Sequence, residues 1–247
     1  MRVLGQDDVV MNTVSRARPA GLADTSSPES LSSQFRRRRD IGLRRLISEI
    51  SAANGGRIGI LDLGGSVEYW RRVGFDFLAE VGARIVVLNV EATELKSDSA
   101  DPDLFEAVVG DACHLPHIAE GEFDLVHSNS VIEHVGNWSR MKAFGAEVRR
   151  IGRSYYVQTP NFWSPIEPHF YRAPMIHWLP RPLQASVMAH FAVTQSGKAS
   201  SLDDAFRILD GTQLIDRRQM QIIFPDAVHS RERVFGLTKS LIATRRA

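Results

Sequence analysis

From Arg57 onward, apolar and polar positions fall into a repeating pattern. Short apolar runs of strand length alternate with stretches whose apolar residues recur every three or four positions. That alternation predicts a parallel sheet with helices on its faces. "IGILDL" (Ile58 to Leu63) is the first strand, and the helix after it carries Trp70, Val73, Phe77 and Val81 on one face and closes at Gly82. "ARIVVLNV" is the second strand, to about Val90, and a short third one in "AVVGDA" stops before Asp111. "EFDLVHSNS" is the fourth; Asn137 then caps a helix bearing Met141, Phe144, Val148 and Ile151, closed by Gly152. "SYYVQTP" is the fifth strand.

After Pro160 the rhythm breaks. "NFWSPIEPHFYRAPMIHWLPRP" is too dense in proline and aromatic residues to be one regular element. Helical patterns return at about Leu183 to His190 and around Leu202 to Leu209. "DAVHSRERVFGLTKSLIATRR" holds two β-like runs meeting near Gly236, most simply an antiparallel pair at the sheet edge. The expected fold class is therefore α/β: a doubly wound, mostly parallel seven-stranded sheet, helices on both faces, the last strand antiparallel. Residues 161–210 form an insertion or cap on one domain spanning 34–247.

Ahead of that domain, residues 1–33 are poor in large apolar side chains; "RARPAGLADTSSPESLSS" cannot offset its ordering entropy and is expected to be a disordered leader. Arg36 to Arg39 then open a basic helix running to about Ser51, with Phe35, Leu43, Leu46, Ile47 and Ile50 apolar. Such a run usually forms a solvated helix face.

Composition narrows the function classes. A net charge of +1 over 247 residues gives no case for a nucleic-acid partner. No apolar run approaches the ~20 residues of a membrane span, and the amino terminus lacks the apolar core of a secretory signal. The single cysteine, Cys113, excludes an internal disulfide and fits a reducing, cytoplasmic setting.

In doubly wound sheets, ligands bind beyond the carboxyl ends of the strands, where strand order reverses. Polar residues cluster at those ends here: Asp62, Gly64 and Gly65 after the first strand, Asn89 and Glu91 after the second, Asp111, Ala112 and Cys113 after the third, and Asn129, Ser130, Glu133 and His134 after the fourth. The first turn is not a dinucleotide fingerprint. Two positions that would be glycine are Ser66 and Glu68, and a carboxylate at Glu68 would oppose a pyrophosphate. A cationic ligand with ribose and adenine but no phosphate suits this turn better.

Four segments carry a resemblance to a known family: "ILDLGG", "VGDACHLP", "FDLVHSNSVIEHV" and "EVRRIGRSYYVQTPN", in that order. Together they resemble the class I S-adenosylmethionine-dependent methyltransferases over about Phe35 to Asn161, and "GLTKSLIATRR" looks like that fold's last strand pair. The resemblance implies S-adenosylmethionine as cofactor and a small-molecule acceptor. It implies that the Gly64-Gly65 turn packs against the methionine portion and that the end of the second strand binds the ribose. Asn89 and Glu91, two apart and so on one side of the strand, both fit that role, with Glu91 favoured. By the same resemblance Asp111 binds the adenine amino group, the backbone of Ala112 reaches the ring, and Asn129, Ser130 and Val131 lie beside the methyl donor. The family's third and fifth turn positions, normally glycine, are Ser66 and Glu68, which raises the alternative of a non-catalytic scaffold on the same fold.

Glu133 and His134 resemble part of a metal site in one branch of the family, but Ser130 replaces its first carboxylate, and no metal is expected. His134 and His169 are candidate general bases, since imidazole titrates near neutrality. The aromatic segment after Pro160 supplies either an acceptor pocket or a second small core. With the basic helix, it leans towards a hydrophobic or lipid-linked acceptor and leaves room for peripheral membrane contact.

Overall fold

The computed structural model describes residues 31–91, 101–165, 173–194, 197–234 and 236–247, with only the backbone of 31–39. The expected leader lies outside these residues up to residue 30. Helix α1 spans Leu31–Ala53, so it begins a turn earlier than the basic run suggested.

Seven strands form one sheet in the order β3-β2-β1-β4-β5-β7-β6. β1 (Ile58–Leu63) pairs in parallel with both β2 (Ala83–Asn89) and β4 (Phe123–Asn129), which places the reversal of strand order between β1 and β4. β3 (Phe105–Val109) and β5 (Gly152–Pro160) extend the parallel part on either side. β7 (Leu237–Arg245) runs antiparallel between β5 and the outer strand β6 (Val228–Val234). β6 carries Arg231, Glu232 and Arg233 beside a bulge, and charges and bulges blunt an edge against further pairing.

One face of the sheet is covered by α1 and by the helical segment after β1, which is broken rather than continuous. Ser66 accepts from the Tyr69 amide and starts α2 (Val67–Val73). Gly74 then takes φ 113°, outside helical space, and α3 (Phe75–Glu80) starts afresh. Gly74 serves both ends: its N–H donates to the Trp70 carbonyl and its carbonyl accepts from Leu78. The apolar period survived in the sequence, while the glycine inside it marked the break. Leu43, Ile47, Trp70, Val73, Phe77 and Leu78 pack into this core, and an Arg72–Asp40 ion pair at 3.3 Å closes its rim.

The other face holds α4 (Trp138–Ile151), capped by Asn137 as its sequence demands, and α7 (Arg217–Ile223). α7 has a complete capping box between Asp216 and Gln219 and was not marked by its short apolar pattern. The two helices touch at Gly145. A Cβ there would stand 2.2 Å from Ile223 Cγ2 and 3.1 Å from the Ile223 carbonyl.

Between β5 and α7 the chain makes a closed excursion. Asn161 bridges to Ile215, and the Phe162 amide donates to the Ile215 carbonyl at 3.0 Å, pinning both ends to the sheet. Within it, α5 (Arg181–His190) packs on α6 (Leu202–Asp210) around a small core that includes Ile176, Ala185, Met188, Ala205 and Leu209. Among the described residues, no helix is long and apolar enough to cross a membrane.

The Gly145 contact gives a test. Alanine favours a helix interior over glycine by about 1 kcal/mol, whereas overpacking a well-filled contact costs about 1–3 kcal/mol. Gly145→Ala is expected to lower stability in urea titration, with Ile223→Val added to the same chain recovering part of the loss. A stabilised single variant would show that α4 and α7 do not meet this closely.

Candidate functional site

The turn that ends β1 is built on two glycines that admit no side chain. Gly64 takes φ 68° and donates its N–H to the Leu88 carbonyl of β2 at 2.7 Å. A Cβ on it would lie 2.6 Å from Val131 Cγ2, so the loop after β4 presses directly on this turn. At Gly65 the position of a Cβ is already taken by the Asp62 carboxylate, 1.6 Å from it. Asn89 Nδ2 donates to the Gly65 carbonyl at 2.9 Å. The ends of β1, β2 and β4 are thereby locked into one cradle with a bare backbone.

Asp62 is the group beneath that cradle and does not face a ligand, contrary to its place among the expected cofactor contacts. It is fully buried, its Oδ2 accepting from Trp70 Nε1 at 2.6 Å and its Oδ1 meeting His127 Nδ1 at 2.7 Å. A carboxylate that ends a buried strand needs such partners, because an unpaired buried charge is very costly. His127 was not singled out from the sequence. Its only signal was a titratable residue inside an otherwise apolar strand.

The two departures from the family turn have local causes. Ser66 caps α2, a role glycine cannot fill with a side chain. Glu68 points into solvent in the first turn of α2, its side chain 73% exposed and 3.3 Å from Arg71. It points away from the cradle, and its charge sits where the helix dipole favours it.

At the end of β3, Asp111 is held from two sides. Its Oδ1 accepts from the Cys113 amide at 2.9 Å, and Arg140 Nη2 reaches both carboxylate oxygens, at 2.8 and 2.9 Å. Arg140 comes from α4, 29 positions away, and is itself tied to the Val135 carbonyl at 2.7 Å. The carboxylate stays partly exposed and keeps lone pairs for a further donor. Ala112 is buried beside it. Burial pushes the Cys113 thiol up to about 12, against the opposing pull of Arg140, so this cysteine stays protonated and acts as packing. At the end of β2, Asn89 Nδ2 gives a hydrogen bond to Gly65, while Glu91 lies half-buried just past the strand.

The loop after β4 is strained. Ser130 has φ 59°, a left-handed conformation that costs a non-glycine residue roughly 1–2 kcal/mol, and its amide is anchored to the Gln158 carbonyl at 2.9 Å. Asn129 Oδ1, at the strand end, is buried with no hydrogen-bond partner. Glu133 and His134 diverge: Glu133 is buried with Oε2 accepting from Thr159 Oγ1 at 2.9 Å, and His134 Nδ1 donates to the Gly211 carbonyl at 2.7 Å. His134 thus fastens the excursion to the core, helped by the Gln213 amide on the Glu133 carbonyl. Among the described residues no three metal-ligating side chains gather. His169 lies outside the described residues.

The aromatic segment contributes to the second small core and leaves two tryptophans exposed. Ile176 enters the small core, while Trp163 and Trp178 stay 61% and 40% exposed with ring centroids 6.2 Å apart. The Phe162 carbonyl accepts from both His177 Nε2 and Trp178 Nε1, each at 2.9 Å.

Comparison with known proteins agrees with this geometry. Residues 71–154 match the family described as "Methyltransferase domain". No curated protein sequence matches the chain. Among solved structures, one described as a possible exported protein of Bordetella parapertussis aligns at TM-score 0.51 and 16% identity, over 88% of this chain and 70% of that one. A candidate O-methyltransferase of Nostoc punctiforme aligns at TM-score 0.50 and 11% identity, over 91% of this chain and 62% of its own. At such identities these likenesses speak for the fold. Residues 71–154 thus match a methyltransferase domain, and the seven-stranded, mostly parallel sheet has the α/β methyltransferase fold.

Proposed function

We propose that the protein binds S-adenosylmethionine at the switch point between β1 and β4 and methylates a small-molecule acceptor. The observation that carries this reading is Asn129 Oδ1, a buried acceptor without a hydrogen-bond partner at the end of β4, just before the Ser130–Val131 loop that packs on the Gly64 turn. Leaving such an atom unpaired costs about 1–3 kcal/mol, and the ammonium of the cofactor's methionine end offers N–H donors of the right kind. Bound, the cofactor supplies an already activated methyl group.

The chain's own residues then bind and align. Gly64 and Gly65 leave room for the methionine portion, Glu91 receives the ribose hydroxyls in preference to Asn89, and Asp111 accepts from the adenine amino group beside the Ala112 backbone. Ser130 and Val131 border the methyl donor. The excursion from Asn161 to Ile215 limits water and selects the acceptor, and Trp163 and Trp178 favour an apolar one. His134 and His169 are the imidazoles available to take a proton from an acceptor hydroxyl, and His134 would do so while its Nδ1 stays on Gly211. The main gain is proximity and alignment. A buried, protonated Cys113 suits a reducing compartment such as the cytoplasm. The non-catalytic alternative rested on Ser66 and Glu68, and both have structural duties that leave the cradle open.

Thermal unfolding with S-adenosylmethionine, S-adenosylhomocysteine and NAD tests the cofactor. A ligand at about 100 times its dissociation constant stabilises by about 2.7 kcal/mol, which for a chain of this size raises Tm by about 5–10 °C. Shifts with the two adenosyl ligands and none with NAD are expected; a flat response to all three would remove the proposal. In a calorimetric titration, Asp111→Ala should weaken cofactor binding by about 1–3 kcal/mol, and Arg140→Ala, which leaves the carboxylate in place but unheld, should lose less. Equal affinities in wild type and Asp111→Ala would take Asp111 out of the adenine site.

A further inference from the structure

Beneath the cradle lies a buried polar chain that meets it at one point, where the Asp62 carboxylate lies against Gly65. Its four members come from three elements: Asp62 from β1, Tyr69 and Trp70 from α2, and His127 from β4. Asp62 and Trp70 are fully buried, His127 is 1% exposed and Tyr69 8%. His127 Nε2 lies 3.1 Å from Tyr69 Oη and its Nδ1 2.7 Å from Asp62 Oδ1, while Trp70 Nε1 takes Asp62 Oδ2 at 2.6 Å. The carboxylate can only accept, so His127 carries a proton on Nδ1; in the neutral ring Nε2 is then an acceptor and the Tyr69 hydroxyl donates to it. The ring is clamped as well as bonded. Tyr156 stacks on it with an 11° interplanar angle, and Trp70 meets it edge-on with centroids 5.0 Å apart.

The output of this chain is the position of one carboxylate. Asp62 fills the space under Gly65, and Gly65 forms the cradle wall with its carbonyl tied across to Asn89. A carboxylate with both oxygens bonded has one rotamer; with one bond removed it can turn, and the backbone above it loses its support. Groups that orient a ligand-holding residue commonly matter through such supporting bonds.

We infer that His127 is a positioning residue for cofactor binding: by holding Asp62 in a single orientation beneath Gly65, it keeps the glycine turn in its ligand-ready shape. This rests on the reading that the turn holds S-adenosylmethionine. The effect runs through geometry, so it applies equally to the cationic cofactor and to its neutral-sulfur product, since both would use the same turn.

The test is calorimetric binding of S-adenosylmethionine and S-adenosylhomocysteine to the full chain, with folding checked by circular dichroism. His127→Leu removes both ring bonds and should weaken the two ligands in parallel, on the order of tenfold to a hundredfold, the loss of a hydrogen bond to a charged group. His127→Asn can place an amide N–H near the Nδ1 position and should restore most of the affinity. Should His127→Leu fail to fold, Tyr69→Phe frees one side of the ring and should give a smaller parallel loss. Wild-type affinity in whichever of these folds would overturn the inference. So would a loss confined to S-adenosylmethionine, which would make Asp62 a charge partner of the sulfonium instead, or an asparagine variant as weak as the leucine one. A wild-type chain that binds neither ligand would fail the cofactor reading itself, and this inference with it.

Discussion

The close approach of the Asp62 carboxylate to Gly65 governs the middle of this molecule. A charged group lies where the neighbouring residue's side chain would go, so that residue must be glycine and the charge must be fully satisfied from below. Trp70 and His127 supply that satisfaction, which ties α2 and β4 to the turn after β1. The same packing leaves backbone, not side chain, on the face of the turn away from Asp62. Val131 against Gly64, from the loop after β4, and Asn89 on the Gly65 carbonyl, from the end of β2, complete the closure.

Around this centre the sheet separates two tasks. The strand ends collect the polar groups, and the excursion between Asn161 and Ile215 brings a small core and two exposed tryptophans to the end of β5. His134 connects the two, since its ring is bonded to the Gly211 carbonyl while its backbone follows directly on the strained Ser130 loop. A shift of the excursion would therefore be felt at that loop. Arg140 does a comparable job at the other end of the site, carrying α4 onto Asp111 and fixing the carboxylate without hiding it.

Much of the fold was legible because it rests on local periodicity. The strand runs that begin near Ile58, Ala83, Phe123 and Ser154, the Asn137 cap and the terminal hairpin around Gly236 all announce themselves in the chain. Misses fell where local signals conflict or are short. The period through Trp70, Val73 and Phe77 implied one helix, and Gly74 broke it; α7 is only seven residues long and depends on its capping box. Gly145 shows a further kind of hidden information, since a glycine in a helix gives no hint that Ile223, far along the chain, occupies its missing side chain's space.

The sequence by itself determined which residues stand at the carboxyl ends of the strands, because strand boundaries and parallel order follow from hydrophobic pattern and connection length. It also marked Gly64, Gly65, Asp111 and the Asn129–Val131 segment as the polar material gathered there. Only the tertiary structure decided what each does. Whether a carboxylate faces a ligand or holds up a turn depends on donors distant in sequence: Asp62 is consumed by His127, 65 positions on, while Asp111 is steadied by Arg140, 29 positions on, and stays open. Those pairings are long-range hydrogen bonds, which no local propensity encodes; they exist only once the strands are side by side.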